Sequence, residues 1–239
     1  MKVSKLLQEN RIVQLCEFLA VFGVAFIIIK LAGPLAGDNL LAKQGIIWIA
    51  NIAMIIMIWT GLYLRGQSWS HFGLNFRKPS FIGLIRVVLL SIVVFALALV
   101  GFFVGSTIMA NITGIPEQAD MSGYNYLEGN LPMLALALTG VYIVSSFGEE
   151  VIYRGFLINR IEELGSKIRL STLLAVLVSS VIFGLAHFEW GLVGIVQTGF
   201  MGLALALTYI FLKRNLWLLI LAHAYMDTIL MIQMYLGTG

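Results

Sequence analysis

The sequence predicts an all-α fold: a polytopic transmembrane bundle of about seven spans with its N-terminus in the cytoplasm. Three observations lead there. Of 239 residues, 60% are hydrophobic and only 11% are charged, against roughly 25% charged in a soluble domain, and the mean hydropathy is +0.96. Runs of about 20 apolar residues, enough to cross ~30 Å of hydrocarbon, recur along the chain. Lysine and arginine gather in alternate loops, as short cytoplasmic loops require.

The first run, near residues 12 to 33, follows Lys2 and Lys5, but it exceeds the ~7–15-residue core of a signal peptide and reads as an uncleaved anchor. Further runs lie near 45 to 64, 81 to 110, 131 to 159, 170 to 188, 191 to 212 and 215 to 236. With the N-terminus inside, Lys2, Lys5 and Arg11, then Arg65, Arg77 and Lys78, then Arg160, Lys167 and Arg169, and finally Lys213 and Arg214 fall on the cytoplasmic side. Only Lys30 and Lys43 fall outside. The long outer loop near 111 to 130 holds Glu117, Asp120 and Glu128 with no basic residue. Pro34, Pro79, Pro116 and Pro132 sit at span ends, and Gly101 and Gly105 form a small-xxx-small pair suited to close helix packing.

The net charge of +3 and pI near 9.0 reflect these inner loops and do not imply nucleic acid. A single cysteine, Cys16, excludes an intramolecular disulfide. It reads as a small buried hydrophobe.

Charge inside such a chain must have a use, because an ionised side chain at the bilayer centre costs at least a few kcal/mol. The run Glu149-Glu150-Val151-Ile152-Tyr153-Arg154 places two carboxylates and an arginine there, and His187, His223 and Asp227 follow on later spans. Helical residues four apart share a face, so Glu150 pairs with Arg154. Glu149 then points elsewhere, toward the bundle interior, where a carboxylate can take a proton from water. His223 and Asp227, also four apart, project together. Counted from the inner span ends at ~1.5 Å per residue, Glu149 lies about 16 Å deep, His223 about 12 Å, Asp227 about 18 Å and His187 about 25 Å. His187 is the outlier, and its helix must either extend into the cytosol or tilt for the four groups to meet.

The order E-E-x-x-x-R, F-x-x-x-H, H-x-x-x-(N/D), here Glu149 to Arg154, Phe183 to His187 and His223 to Asp227, resembles the CPBP (CAAX protease and bacteriocin-processing, or Abi) intramembrane endopeptidases, relatives of the Ras-converting CAAX prenyl protease. The resemblance spans Glu149 to Asp227; the first 130 residues share only their hydrophobicity. It implies peptide-bond hydrolysis in the membrane, with Glu149 and His187 activating water and His223 with Asp227 stabilising the oxyanion. Eukaryotic relatives usually carry asparagine at the last position, whereas an aspartate donates only when protonated. Glu150 and Arg154 then read as a supporting ion pair, and Tyr153 and Phe183 as packing beside the site. The whole chain, 1–239, reads as one membrane domain with catalytic core helices over 131–236 and accessory spans over 1–130.

Amide hydrolysis needs a base for water, stabilisation of the oxyanion and an acid for the leaving amine, and these residues include groups of each kind. No serine stands in a G-x-S-x-G elbow and Cys16 is remote, so no covalent nucleophile is indicated. Glu149, His187, His223 and Asp227 are adequate zinc ligands, although H-E-x-x-H is absent. The favoured reading requires no cofactor, since one glutamate serving as both base and ligand would be doubly committed. The expected partners are membrane lipid and a peptide or protein, either a prenylated C-terminus or a bacteriocin or pheromone leader, and the expected location is the cell membrane. The rival reading is non-enzymatic: a proton-coupled transporter, or an immunity or scaffold protein on the same fold. Polar residues crowd the C-terminal half instead of repeating in both halves, which favours the enzyme. Glu17 reads as a candidate substrate-path residue near the inner interface, His71 as an interfacial anchor with Trp69, and Glu189 as a polar residue of an outer turn.

Overall fold

A computed structural model describes residues 2–76, 80–114, 119–165 and 169–238. Arg77, Lys78, Pro79, Pro116, Glu117 and Lys167, and the side chain of Lys2, lie outside the described residues. The elements are α1 (Lys2–Glu9), α2 (Arg11–Ala36), α3 (Leu40–Arg65), α4 (Phe81–Thr113), α5 (Leu131–Val141), a π-helical segment (Tyr142–Ile158), α6 (Asn159–Leu164), α7 (Ser171–Leu185), α8 (Gly191–Phe211) and α9 (Leu216–Leu236). Short 3-10 turns cover Trp69–Phe72, Ser122–Leu127 and Phe188–Trp190. No strand occurs among the described residues.

Small polar residues set where the long helices begin. Asn10 accepts from the backbone N–H of Ile12 and Val13, Asn39 from Ala42, Ser80 from Gly83 and Asn130 from Met133. Each satisfies donors that the first helical turn leaves unpaired. At the far end of α3, Gly66 takes φ 70° and returns its N–H to the last turn, a left-handed position that glycine occupies without steric cost.

Six helical stretches are long and apolar enough to cross a membrane: α2, α3, α4, the continuous stretch Leu131–Leu164, Phe188–Phe211 and α9. The seventh expected span is α7, an apolar helix of only 15 residues. Outward-facing Phe26, Leu31, Ile82, Phe103 and Phe211 are well exposed, the expected state of residues that face acyl chains. Cys16 is also exposed, which corrects its assignment as buried: an apolar helix in lipid does not need a protein partner for each apolar residue. Gly101 and Gly105 do serve close packing, because a Cβ at Gly101 would come 2.6 Å from the Phe200 carbonyl oxygen and one at Gly105 2.8 Å from Gln197 Cα, both on α8.

The stretch Leu131–Leu164, α8 and α9 form the buried centre, with α2 and α4 more peripheral. The sequence predicts ordinary α-helix over 131 to 159; the structure has 17 residues of π-helix within it. Its i→i+5 bonding widens the turn, and such geometry recurs at functional sites. Gly148 and Gly155 let neighbours approach the widened segment, with Cβ positions 2.9 Å from Ile55 and 3.1 Å from Phe72.

At one end of the bundle, Arg65 and Arg160 lock α2, α3 and α6 together. Arg65 pairs with Glu17 and lies 3.6 Å from Glu163; Arg160 lies 2.7 Å from Glu163 and 3.7 Å from Glu17. Glu17 is therefore a partner in an ion-pair network and not a free group on a substrate path. His71 joins the network at 3.4 Å from Glu163.

Candidate active site

The π-helical segment brings Ser145, Ser146, Glu149 and Glu150 toward α9, and α9 meets them with His223 and Asp227. Arg154 Nη1 donates to Glu150 Oε1 at 2.8 Å, with both side chains fully buried. Arg154 also donates to the Gly202 carbonyl at 3.3 Å and lies 4.2 Å over the Phe183 ring. Removing two such charges from water is costly, and only close pairing and further contacts offset the cost. The same Glu150 oxygen accepts from His223 Nδ1 at 2.8 Å. A linear relay results: Arg154 holds Glu150, and Glu150 holds the imidazole.

Sequence spacing does not reveal this link, because it places only Asp227 on the same helical face as His223. Asp227 Oδ1 lies 3.8 Å from His223 Nε2, beyond a hydrogen bond, and Glu150 takes the orienting role. Asp227 instead accepts from Ser146 Oγ at 2.6 Å and from Ser145 Oγ at 3.5 Å, and Ser145 Oγ is 3.3 Å from His223 Nε2. The two serines complete the site. Their only sequence signal is a polar pair three to four residues before Glu149 in an apolar helix.

Glu149 is the carboxylate left without a structural task. Its Oε2 is buried with no hydrogen-bond partner among the described residues and lies 3.9 Å from His223 Nε2. A buried, unpaired carboxylate oxygen calls for a polar occupant beside it. His187 follows the C-terminus of α7, where its Nδ1 contacts the Phe183 carbonyl at 2.8 Å. A carbonyl only accepts, so Nδ1 carries the proton and Nε2 is the acceptor. Trp190 flanks this ring edge-on, its centroid 4.7 Å away, and Phe183 packs against it at 4.9 Å. Tyr153 meets Phe183 edge-on at 5.1 Å.

Glu149, His187, His223, Asp227, Ser145 and Tyr153 all line one cavity of about 620 Å³. The depth mismatch of His187 does not keep it from this cavity. The sequence places the inner end of the Glu149 helix at Arg160, but the helix continues to Leu164, lengthening the count to Glu149 by four residues, or about 6 Å of α-helical rise. The same cavity is also lined by the apolar side chains of Phe22, Ile29, Phe95, Leu99 and Phe102. Glu189 lines it too. No three His, Cys, Asp or Glu side chains among the described residues are grouped to hold a metal ion, and His223 Nδ1 is already engaged by Glu150. The present donor set does not form a metal cage, and no step below is routed through one.

Long apolar helices around a buried pocket of acids and imidazoles define a multi-pass membrane protein with a polar intramembrane site. Residues 131–229 match the family described as type II CAAX prenyl endopeptidase Rce1-like. The kinship read from the three motifs is thus borne out over that segment, which contains all of them. No curated protein and no solved structure matches the chain.

Proposed function

We propose that this protein is an intramembrane endopeptidase in which Glu149 is the general base, and that its N-terminus and basic loops face the cytoplasm. One observation carries the catalytic reading: Glu149, whose Oε2 has no hydrogen-bond partner among the described residues, lines the cavity it shares with His187 and His223. Water held between Glu149 and the acceptor Nε2 of His187 loses a proton to the carboxylate as it attacks the scissile carbonyl. Glu149 then returns that proton to the leaving amine as the C–N bond of the tetrahedral adduct breaks, and no acyl-enzyme forms. His223, as imidazolium, donates through Nδ1 to Glu150 and through Nε2 to the developing oxyanion. Asp227 receives the serine hydroxyls and adds negative charge beside His223, so it positions and does not donate. The proposal uses no metal, because Glu149 serves as the base and not as a ligand.

The substrate is a peptide whose lipidated or strongly apolar portion packs against Phe22, Phe95 and Phe102 of the cavity lining, as a prenylated C-terminus or an apolar leader peptide would. Cleavage of prenylated and unmodified peptides in detergent tests the reading with wild type, Glu149→Gln and His187→Ala. Each variant is expected to lose at least about 100-fold in kcat, the usual contribution of a positioned base. Equal rates in all three would discard the mechanism, and proton-driven flux in sealed vesicles would favour a transporter.

A further inference from the structure

The polar end of the cavity is rich in acceptors. Glu149 and Asp227, when ionised, can only accept, His187 presents its Nε2 lone pair, and Ser145 Oγ lies between His223 and Asp227. A peptide entering this space brings carbonyl oxygens that need donors. Tyr124 stands at this end, outside the segment that matches the family. It belongs to the 3-10 turn Ser122–Leu127 between α4 and α5 and lines the same cavity as Glu149, His187, His223 and Asp227.

The turn that carries it is fastened on three sides. The Asp120 backbone N–H donates to the Trp190 carbonyl at 3.3 Å, next to His187, and the Asp120 carboxylate accepts from the Ser122 N–H at 2.9 Å. Leu127 is fully buried against Leu134, Met231 and Met234. The Gly129 N–H donates to the Tyr235 carbonyl at 3.0 Å, tying the turn to α9. Tyr124 is thereby held over the site by contacts that do not involve its hydroxyl, and that hydroxyl has no partner among the described hydrogen bonds. Burial, with the charges of Asp227, Glu149 and Glu189 nearby, pushes its phenol well above the usual range, so it remains a protonated donor.

We propose that the Tyr124 hydroxyl is a substrate-binding donor that hydrogen-bonds a backbone carbonyl of the peptide held in the cavity. The inference rests on the endopeptidase reading for its substrate, but its test separates the two. Tyr124→Phe removes only the hydroxyl, and Tyr126→Phe, on the same turn but outside the cavity lining, controls for damage to the turn. Cleavage kinetics are measured for wild type and both variants. Peptide affinity is measured with and without Tyr124→Phe in the Glu149→Gln protein, which binds without turnover. A lost neutral hydrogen bond corresponds to about a 10-fold effect. Tyr124→Phe is expected to lower kcat/KM and peptide affinity by that factor, while Tyr126→Phe leaves both unchanged.

Equal affinity and equal kcat/KM in Tyr124→Phe and its parent would overturn the inference and leave the endopeptidase reading standing. Equal losses in both tyrosine variants would overturn it as well, by locating the effect in the turn. No cleavage by wild type, with peptide affinity still lowered by Tyr124→Phe, would remove the enzyme reading and retain Tyr124 as a peptide contact.

Discussion

At the scale of single residues, the site is organised by how completely each charged group is occupied. Arg154 and His223 both bond Glu150 Oε1, while Glu149, whose Oε2 makes no hydrogen bond among the described residues, lines the cavity. Arg154→Ala removes the counter-charge from a fully buried carboxylate, a change that costs about 3–5 kcal/mol. Its expected outcome is a lower unfolding midpoint in detergent, with Arg154→Lys recovering part of the loss because lysine keeps the charge without the planar fork that reaches both Glu150 and the Gly202 carbonyl. A midpoint equal to wild type in Arg154→Ala would contradict the structural role assigned to the pair. The Glu150–Arg154 pair was readable from sequence because it lies within one helix, where spacing determines proximity. The hydrogen bond from His223 to Glu150 was not, since it joins residues 73 apart in the chain. Nor does spacing report which of two nearby carboxylates an imidazole selects. The serines carry little signal in sequence because a hydroxyl in a membrane helix can donate its proton to its own backbone, as Ser180 and Thr198 do.

Among the elements, the positions of helices were more legible than their geometry. Apolar runs located every long helix to within a few residues, because a membrane segment advertises itself by composition. The π-helical form of Tyr142–Ile158 left no comparable signal: it changes backbone pairing without changing which residues are apolar. Packing of α4 on α8 relies on the absence of side chains at Gly101 and Gly105. Gly105→Leu is expected to lower the unfolding midpoint and separate these helices, whereas Gly45→Leu, with open space around its Cβ position, should leave the midpoint near that of wild type. Thermal unfolding in a single detergent measures both. Similar midpoints for the two variants would show that the close approach contributes little.

For the whole molecule, the chain divides its charges into two kinds of cluster. The network of Glu17, Arg65, Arg160, Glu163 and His71 pairs its charges and ties helices together, while Glu149 of the cavity lining has a carboxylate oxygen without a hydrogen-bond partner among the described residues. Sequence alone could not sort Glu17 into the first kind, because its partners lie 48 and 143 positions away. The shortness of α7 has a bearing on the surrounding lipid. Fifteen residues extend only about 22 Å, well under the ~30 Å hydrocarbon layer of a typical bilayer. Acyl chains against that helix must compress or yield to solvent at the end where His187 sits. A span this short favours a thin bilayer, and the proposed hydrolysis needs water in the cavity that His187 lines. Proteoliposomes of increasing acyl-chain length should show falling cleavage rates once the bilayer outgrows this helix, and a rate indifferent to thickness would sever the link between a stunted span and the hydration of the reaction.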